Sequence, residues 1–152
     1  MAFFSRLMFT IGFFLMPFLE GVISRITFRE FMKFSESLKK NQQFRTVYEK
    51  GISTANRYFV LYKLENGLKR NRLGISVSKK VGNSVVRHHL ARLIRENYRL
   101  SEELYKEGYD MVVVARVAAK NADYYRVGKS LKFLSEKLGL LKEKESDETL
   151  TY

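Results

Sequence analysis

"LGISVSKKVGNSVVRHHLARLIRENYR", residues 73–99, runs from an alternating segment through a turn into a helical one. Leu73, Ile75 and Val77 alternate with Gly74, Ser76 and Ser78, which predicts a half-buried strand. Gly82 suits a tight exit from that strand, and Asn83 or Ser84 is placed to cap the helix that follows. At roughly 100° per residue, His88, Arg92, Arg95 and Arg99 fall within about 60° of one another. Val86, Leu90, Leu93, Ile94 and Asn97 occupy the opposite side. Lys79 and Lys80 stand just before the helix, where its dipole already attracts anions. With Arg87 these cations face one acid, Glu96, within residues 79–99. Solvated helix faces normally mix signs, so the segment is read as a phosphate-binding helix.

Outward from this segment the pattern stays compact. Asn41 is placed to cap a short helix with Phe44, Val47 and Tyr48 inward and Gly51 ending it. "NRYFVLYKL", residues 56–64, is aromatic and β-branched enough for a strand, with Tyr58, Val60 and Tyr62 on one face and Phe59 and Leu61 on the other. A polar turn follows at 66–72. "DMVVVAR", 110–116, is a near-continuous apolar run typical of a central strand. Val127, Leu131, Leu134 and Leu138 have the spacing of a final amphipathic helix. The pattern predicts the order α-β-β-α-β-α, an α+β or α/β sandwich of a single sheet with three helices.

Composition narrows the function. The 152 residues carry 28 Lys plus Arg against 16 Asp plus Glu, a net charge of +12. Such an excess is self-repelling unless a polyanion or acidic surface is the partner, and nucleic acid leads that list. No cysteine is present, which removes disulfides, thiolate zinc sites and cysteine nucleophiles together and fits a reducing compartment. His88 and His89 are adjacent, so they diverge on a helix and do not chelate one metal as an i, i+4 pair would. Glu102 and Glu103 fail as an acid–base pair for the same reason. There is no Gly-rich phosphate loop. Phe44, Tyr48, Tyr58 and Tyr62 could instead form a stacking platform for unpaired bases, with Arg45, Arg57 and Lys63 as nearby cations. Aromatics at these periods also build cores, and Phe59 is assigned there.

Both ends differ from the middle. "LMFTIGFFLMPFL", residues 7–19, is interrupted by Pro17 and falls short of the ~20 residues a membrane-spanning helix needs. No small-x-small cleavage site follows it. "MKFSESLKKNQQF", from Met32, reads as an ordinary basic start. Residues 1–31 are therefore read as an extension upstream of a mis-assigned start, or as a disordered one, with a membrane anchor last. Residues 32–141 form the domain, and 142–152 are a charged, disordered tail.

The 73–99 segment, with its strand, Lys-Lys-Val-Gly-Asn turn and Arg-rich helix, resembles the signature of the protein subunit of bacterial ribonuclease P. "LKKNQQFRTVYEKG", "ANRYFVLY" and "YDMVVVAR" resemble the first helix, first strand and last strand of that family, in the right order. The resemblance covers residues 33 to about 141. It implies a fold like the second domain of ribosomal protein S5, ordered α-β-β-β-α-β-α, with one more strand between 51 and 78. It also implies a left-handed crossover between parallel strands, against the usual hand.

By the same resemblance the activity is endonucleolytic removal of the 5′ leader of precursor transfer RNA. The catalytic site lies in a large RNA, and no residue of the protein is catalytic. Phe44, Tyr48, Asn56, Arg57 and Tyr62 would line a leader cleft. Lys79, Lys80, Asn83, Arg87, His88, His89, Arg92, Arg95 and Arg99 would contact RNA. The implied partners are the catalytic RNA and precursor transfer RNA, with no stable membrane association and a cytoplasmic location. The protein alone would bind no cofactor; magnesium belongs to the RNA-containing holoenzyme. The family usually reads Arg-Asn-Arg at Arg87-His88-His89 and Lys at Ala91, so the resemblance implies weaker, pH-dependent RNA contact there. A general RNA-binding or ribosomal-type protein is the main rival. A DNA-binding regulator would need a helix-turn-helix partner for residues 83–99.

Overall fold

The computed structural model describes residues 35–143, so the readings of 1–31 and of nearly all the tail lie outside it. The described elements are β1 (Ser35–Ser37), α1 (Asn41–Lys50), β2 (Ile52–Ala55), β3 (Phe59–Glu65) and β4 (Asn71–Val77). They continue with α2 (Ser84–Ser101), β5 (Tyr109–Ala115) and α3 (Tyr124–Lys137). Short 3-10 turns, Glu102–Leu104 and Val117–Asn121, follow α2 and β5.

One five-stranded sheet orders its strands β1-β4-β5-β3-β2. β4 is parallel to β1 and β5, whereas β3 is antiparallel to β5 and β2. The α+β class with three helices and one sheet holds. The central position expected for the 110–116 run also holds, because β5 has neighbours on both sides and its residues Met111, Val112 and Val113 are buried.

The α-β-β-α-β-α order is corrected. The strand read at 56–64 is β3, which starts at Phe59, and a strand not read from the sequence, β2, precedes it and pairs with it as a hairpin from Ile52↔Lys63 to Ala55↔Val60. Asn56 makes the turn: its carboxamide oxygen accepts from the backbone N–H of Tyr58 (2.9 Å) and Phe59 (2.8 Å). This self-satisfied Asx turn ends β2 just ahead of the aromatic run that forms β3. β1 is a further strand, three residues long, which no alternation marks. β4 also begins earlier than expected, at Asn71, so the polar turn is shorter than 66–72.

Asn41 does not cap α1; the N-cap is Lys40, and Gln43 Oε1 accepts from the backbone N–H of Lys39 (3.1 Å) and Lys40 (3.0 Å). Gly51 does end the helix, its N–H donating to the Val47 carbonyl at 2.9 Å. Asn83 is the cap of α2, accepting from the Val86 N–H at 3.0 Å.

The two sheet faces are covered unequally, and this positions the site. α1 lies over the row that holds Tyr62 and Val112, with Leu38, Val47 and Val112 at the centre of its contact. α2 and α3 cover the other face. Tyr98 OH meets Ser35 Oγ at 2.7 Å, and Tyr105 OH meets Ser135 Oγ at 2.9 Å. Leu90 and Ile94 of α2 and Val127, Leu131 and Leu134 of α3 are buried with Phe59, Leu61 and Leu73. α2 and α3 approach closely at Gly128, where a Cβ would stand 2.5 Å from Asn97 Oδ1. Asn97 in turn donates to the Tyr124 carbonyl at 3.2 Å. At one end of the sheet Arg72 grips Asp110 bidentately at 2.7 and 2.6 Å, and Asn66 donates to the same carboxylate at 2.9 Å. That pair joins β4 to β5 across a polar edge of the core.

Candidate nucleic-acid interface

Two surfaces carry the residues singled out above. The first is α2 and its approach. The turn after β4 closes with the Val81 N–H donating to the Ser78 carbonyl at 3.1 Å, and Val81 is buried beneath it. Lys79 and Lys80 therefore project exposed from an anchored turn. The first turn of α2 has no acid. Buried Leu90, Ile94 and Tyr98 seat the helix on the sheet, as its apolar spacing predicts.

The cations do not form one uniform ridge. His88, His89 and Arg92 are exposed, whereas Arg87, Arg95 and Arg99 are half-buried. Arg87 sits beside the buried stripe, and its Nε is enclosed without a hydrogen-bond partner. Arg99 is partly neutralised by Glu96, through contacts of 3.2 Å from Nε and 2.5 Å from an Nη. The Arg99 hydrogen bond holds the Glu96 carboxyl below its ordinary range, and Glu96 raises Arg99 in turn. Arg99 therefore contributes less net charge to the ridge than its sequence position implies.

The second surface lies beside α1. The Phe44 ring rests on Gly74: a Cβ there would come within 2.7 Å of it. Tyr48 lies 6.5 Å from Phe44 and 5.1 Å, edge-on, from Tyr62. Tyr48 is 40% exposed, and Val60, Tyr62, Ser76 and Val114 are only half-buried. A ring-lined shelf thus continues along the sheet past the edge of α1.

Not every residue expected at this shelf reaches it. Asn56 spends its oxygen on the turn and donates its amide to the Ser130 carbonyl of α3 at 3.3 Å, on the opposite side of the sheet. Lys63 also points away, donating to the Leu138 carbonyl and lying 5.4 Å from the Tyr109 ring. Arg57 is exposed with its guanidinium 5.9 Å from the Tyr58 ring. Arg45 is exposed beside Glu49 at 3.7 Å. Among the described residues no three of His, Cys, Asp and Glu come together as metal ligands, and no helix is long and apolar enough to cross a membrane. The segment before α2 is a strand and a turn, so α2 has no helix-turn-helix partner preceding it.

A basic α+β domain with a capped cationic helix on one sheet face and a ring-lined shelf on the other belongs to the class of proteins that hold extended polyanions. Known proteins narrow the class. The Ribonuclease P family model matches residues 32–139. The ribonuclease P protein component of Lachnoclostridium phytofermentans is 50% identical over 113 residues, covering 74% of this chain and 97% of the relative. That of Clostridium perfringens is 51% identical over 111 residues, covering 68% and 89%.

Solved structures agree. The RNase P protein of Staphylococcus aureus superposes with a TM-score of 0.66 at 38% identity, covering 70% of this chain and 97% of that one. That of Thermotoga maritima does so at 0.62 and 31%, covering 66% and 96%. The chain belongs to the ribonuclease P protein-component family.

Proposed function

We propose that this protein component acts as a two-sided holder. The shelf of Phe44, Tyr48 and Tyr62 takes the unpaired 5′ leader of precursor transfer RNA, and the α2 surface takes the catalytic RNA. Lys79, Lys80, Arg87 and Arg92 neutralise phosphates there. The observation that carries this reading is the aromatic trio beside an open sheet face, since stacking on rings is how unpaired bases are held without sequence preference. In this reading the RNA supplies the reacting groups, and divalent metal belongs to the assembled holoenzyme. The protein's part is to bring substrate and catalyst together and to screen their mutual repulsion. A cytoplasmic location follows from the location of that substrate.

The test is cleavage of a precursor transfer RNA at low magnesium by a bacterial ribonuclease P RNA, with and without the full chain. Stimulated cleavage at the mature 5′ end, with none by the protein alone, is expected. Tight RNA binding without stimulation would instead identify a general RNA-binding protein.

A further inference from the structure

Neither surface just described uses the outer side of α3. Taken at about 100° per residue, the buried positions Val127, Ser130, Leu131, Leu134 and Ser135 fall on one side of this helix. Opposite them a sector about 140° wide holds Tyr125 and Phe133, four cations and one acid, Glu136. Within it Tyr125, Lys129, Phe133 and Lys137 succeed one another at i, i+4, i+8 and i+12, so ring and cation alternate along a single stripe. Tyr125 is 79% exposed and Phe133 46%. These rings are not spare core: each faces solvent on a helix whose buried side is already filled.

The rings are also held in place. Tyr124 braces Tyr125 edge-on at 5.7 Å between centroids, and Lys137 Nζ stands 4.9 Å from the Phe133 centroid. Eight residues of helix separate the two rings by roughly 12 Å, a distance that two or three nucleotides of extended strand can bridge. A merely solvated face would mix its charges, but four cations against one acid do not. Of the four, Lys132 alone is near that acid, at 4.0 Å from Glu136. A second copy of this chain, itself at +12, would be repelled by such a face. The charge complements a polyanion, and the rings complement unpaired bases.

We propose that the outer face of α3 is a further binding site for single-stranded RNA, with bases stacked on Tyr125 and Phe133 and phosphates held by Lys129, Lys137 and Arg126. It lies on the sheet face opposite the α1 shelf, so the same strand segment does not occupy both. The strand would come from the catalytic RNA or from the distal part of a long leader.

The first experiment titrates the full chain with a fluorescein-labelled eight-nucleotide oligouridine, in a Phe44→Ala, Tyr48→Ala background that weakens the shelf. Adding Tyr125→Ala and Phe133→Ala is expected to lower the residual affinity by at least about tenfold, in line with the loss of two stacked bases. Tyr125→Ala alone, at the most exposed ring, guards against misfolding and should account for several-fold of that loss at an unchanged melting temperature. An effect within twofold for both variants would overturn the proposal, as would an equal loss in Lys132→Gln with none in Lys129→Gln. The second experiment separates the sources in the reconstituted holoenzyme. A rise in KM for the Tyr125→Ala, Phe133→Ala variant that appears only with long leaders assigns the strand to substrate. Weaker assembly with the catalytic RNA, independent of leader length, assigns it to that RNA. No change in either would also overturn the proposal. Because the first readout needs no cleavage, it stands or fails independently of the processing role.

Discussion

Phe44 is the residue at which packing and binding meet. Its ring is half-buried against Gly74 and Leu38, yet its neighbour Tyr48 opens to solvent. Phe44→Ala should weaken binding of leader-bearing precursor by about 1–3 kcal/mol and leave affinity for leaderless transfer RNA unchanged. Equal losses for both substrates would make the ring a packing residue only. Gly74→Ala tests the same contact from beneath. The new methyl must displace the ring or Leu38, at a cost of about 1–3 kcal/mol in stability and with leader affinity falling alongside.

Tyr98 carries a different kind of residue-scale prediction. Burial pushes its phenol well above the ordinary value, with the Ser35 hydrogen bond acting the other way, and burial likewise raises Tyr105. Both phenols stay protonated in the fold when the unfolded chain has begun to release those protons. Stability should therefore be insensitive to them well below about pH 10 and fall above it, by up to about 1.4 kcal/mol per pH unit from Tyr98, with Tyr105 acting in the same direction. Urea denaturation between pH 8 and 11 reads this directly, and Tyr98→Phe should make the alkaline fall shallower. An identical slope in that variant would show that other groups cause it.

At the scale of elements, the segment from Leu73 to Arg99 was legible because each of its signals is local. Alternation marks β4, Asn83 marks the start of α2, and apolar spacing marks its buried stripe. Asn83→Ala removes the acceptor for the Val86 N–H and should cost about 1 kcal/mol of stability. Affinity for the catalytic RNA should fall with it, since Lys79, Lys80 and Arg87 flank that first turn. Asn83→Ser should restore both, as a hydroxyl can accept the same bond. If stability falls while RNA affinity does not, the first turn lies outside the contact. The β2–β3 hairpin was illegible for an equally physical reason. β2 is four residues, Ile-Ser-Thr-Ala, with no apolar alternation to mark it, and the third partner of the turn residue Asn56, the Ser130 carbonyl, lies 74 residues away. β1 needs β4 to exist at all, since three residues form no ladder alone.

Across the whole molecule the net charge of +12 sets the behaviour with salt. If about four phosphates are neutralised, affinity for single-stranded RNA should weaken roughly 50-fold between about 50 and 200 mM salt. Fluorescence titrations across that range provide the slope. A flat response would place the binding energy in the rings, not in the cations.

Composition, period and local motifs determined the basic partner chemistry, the α+β class, the central strand and the cationic helix, because each is written in neighbouring residues. Only the tertiary structure decided which side chains share a surface. It turned Asn56 and Lys63 away from the shelf, partly neutralised Arg99 with Glu96, enclosed Arg87 Nε, and left Tyr125 and Phe133 bare on α3. The reason is that a face exists only once distant elements have packed. Which residues remain free to bind depends on what α1, α2 and α3 have already covered.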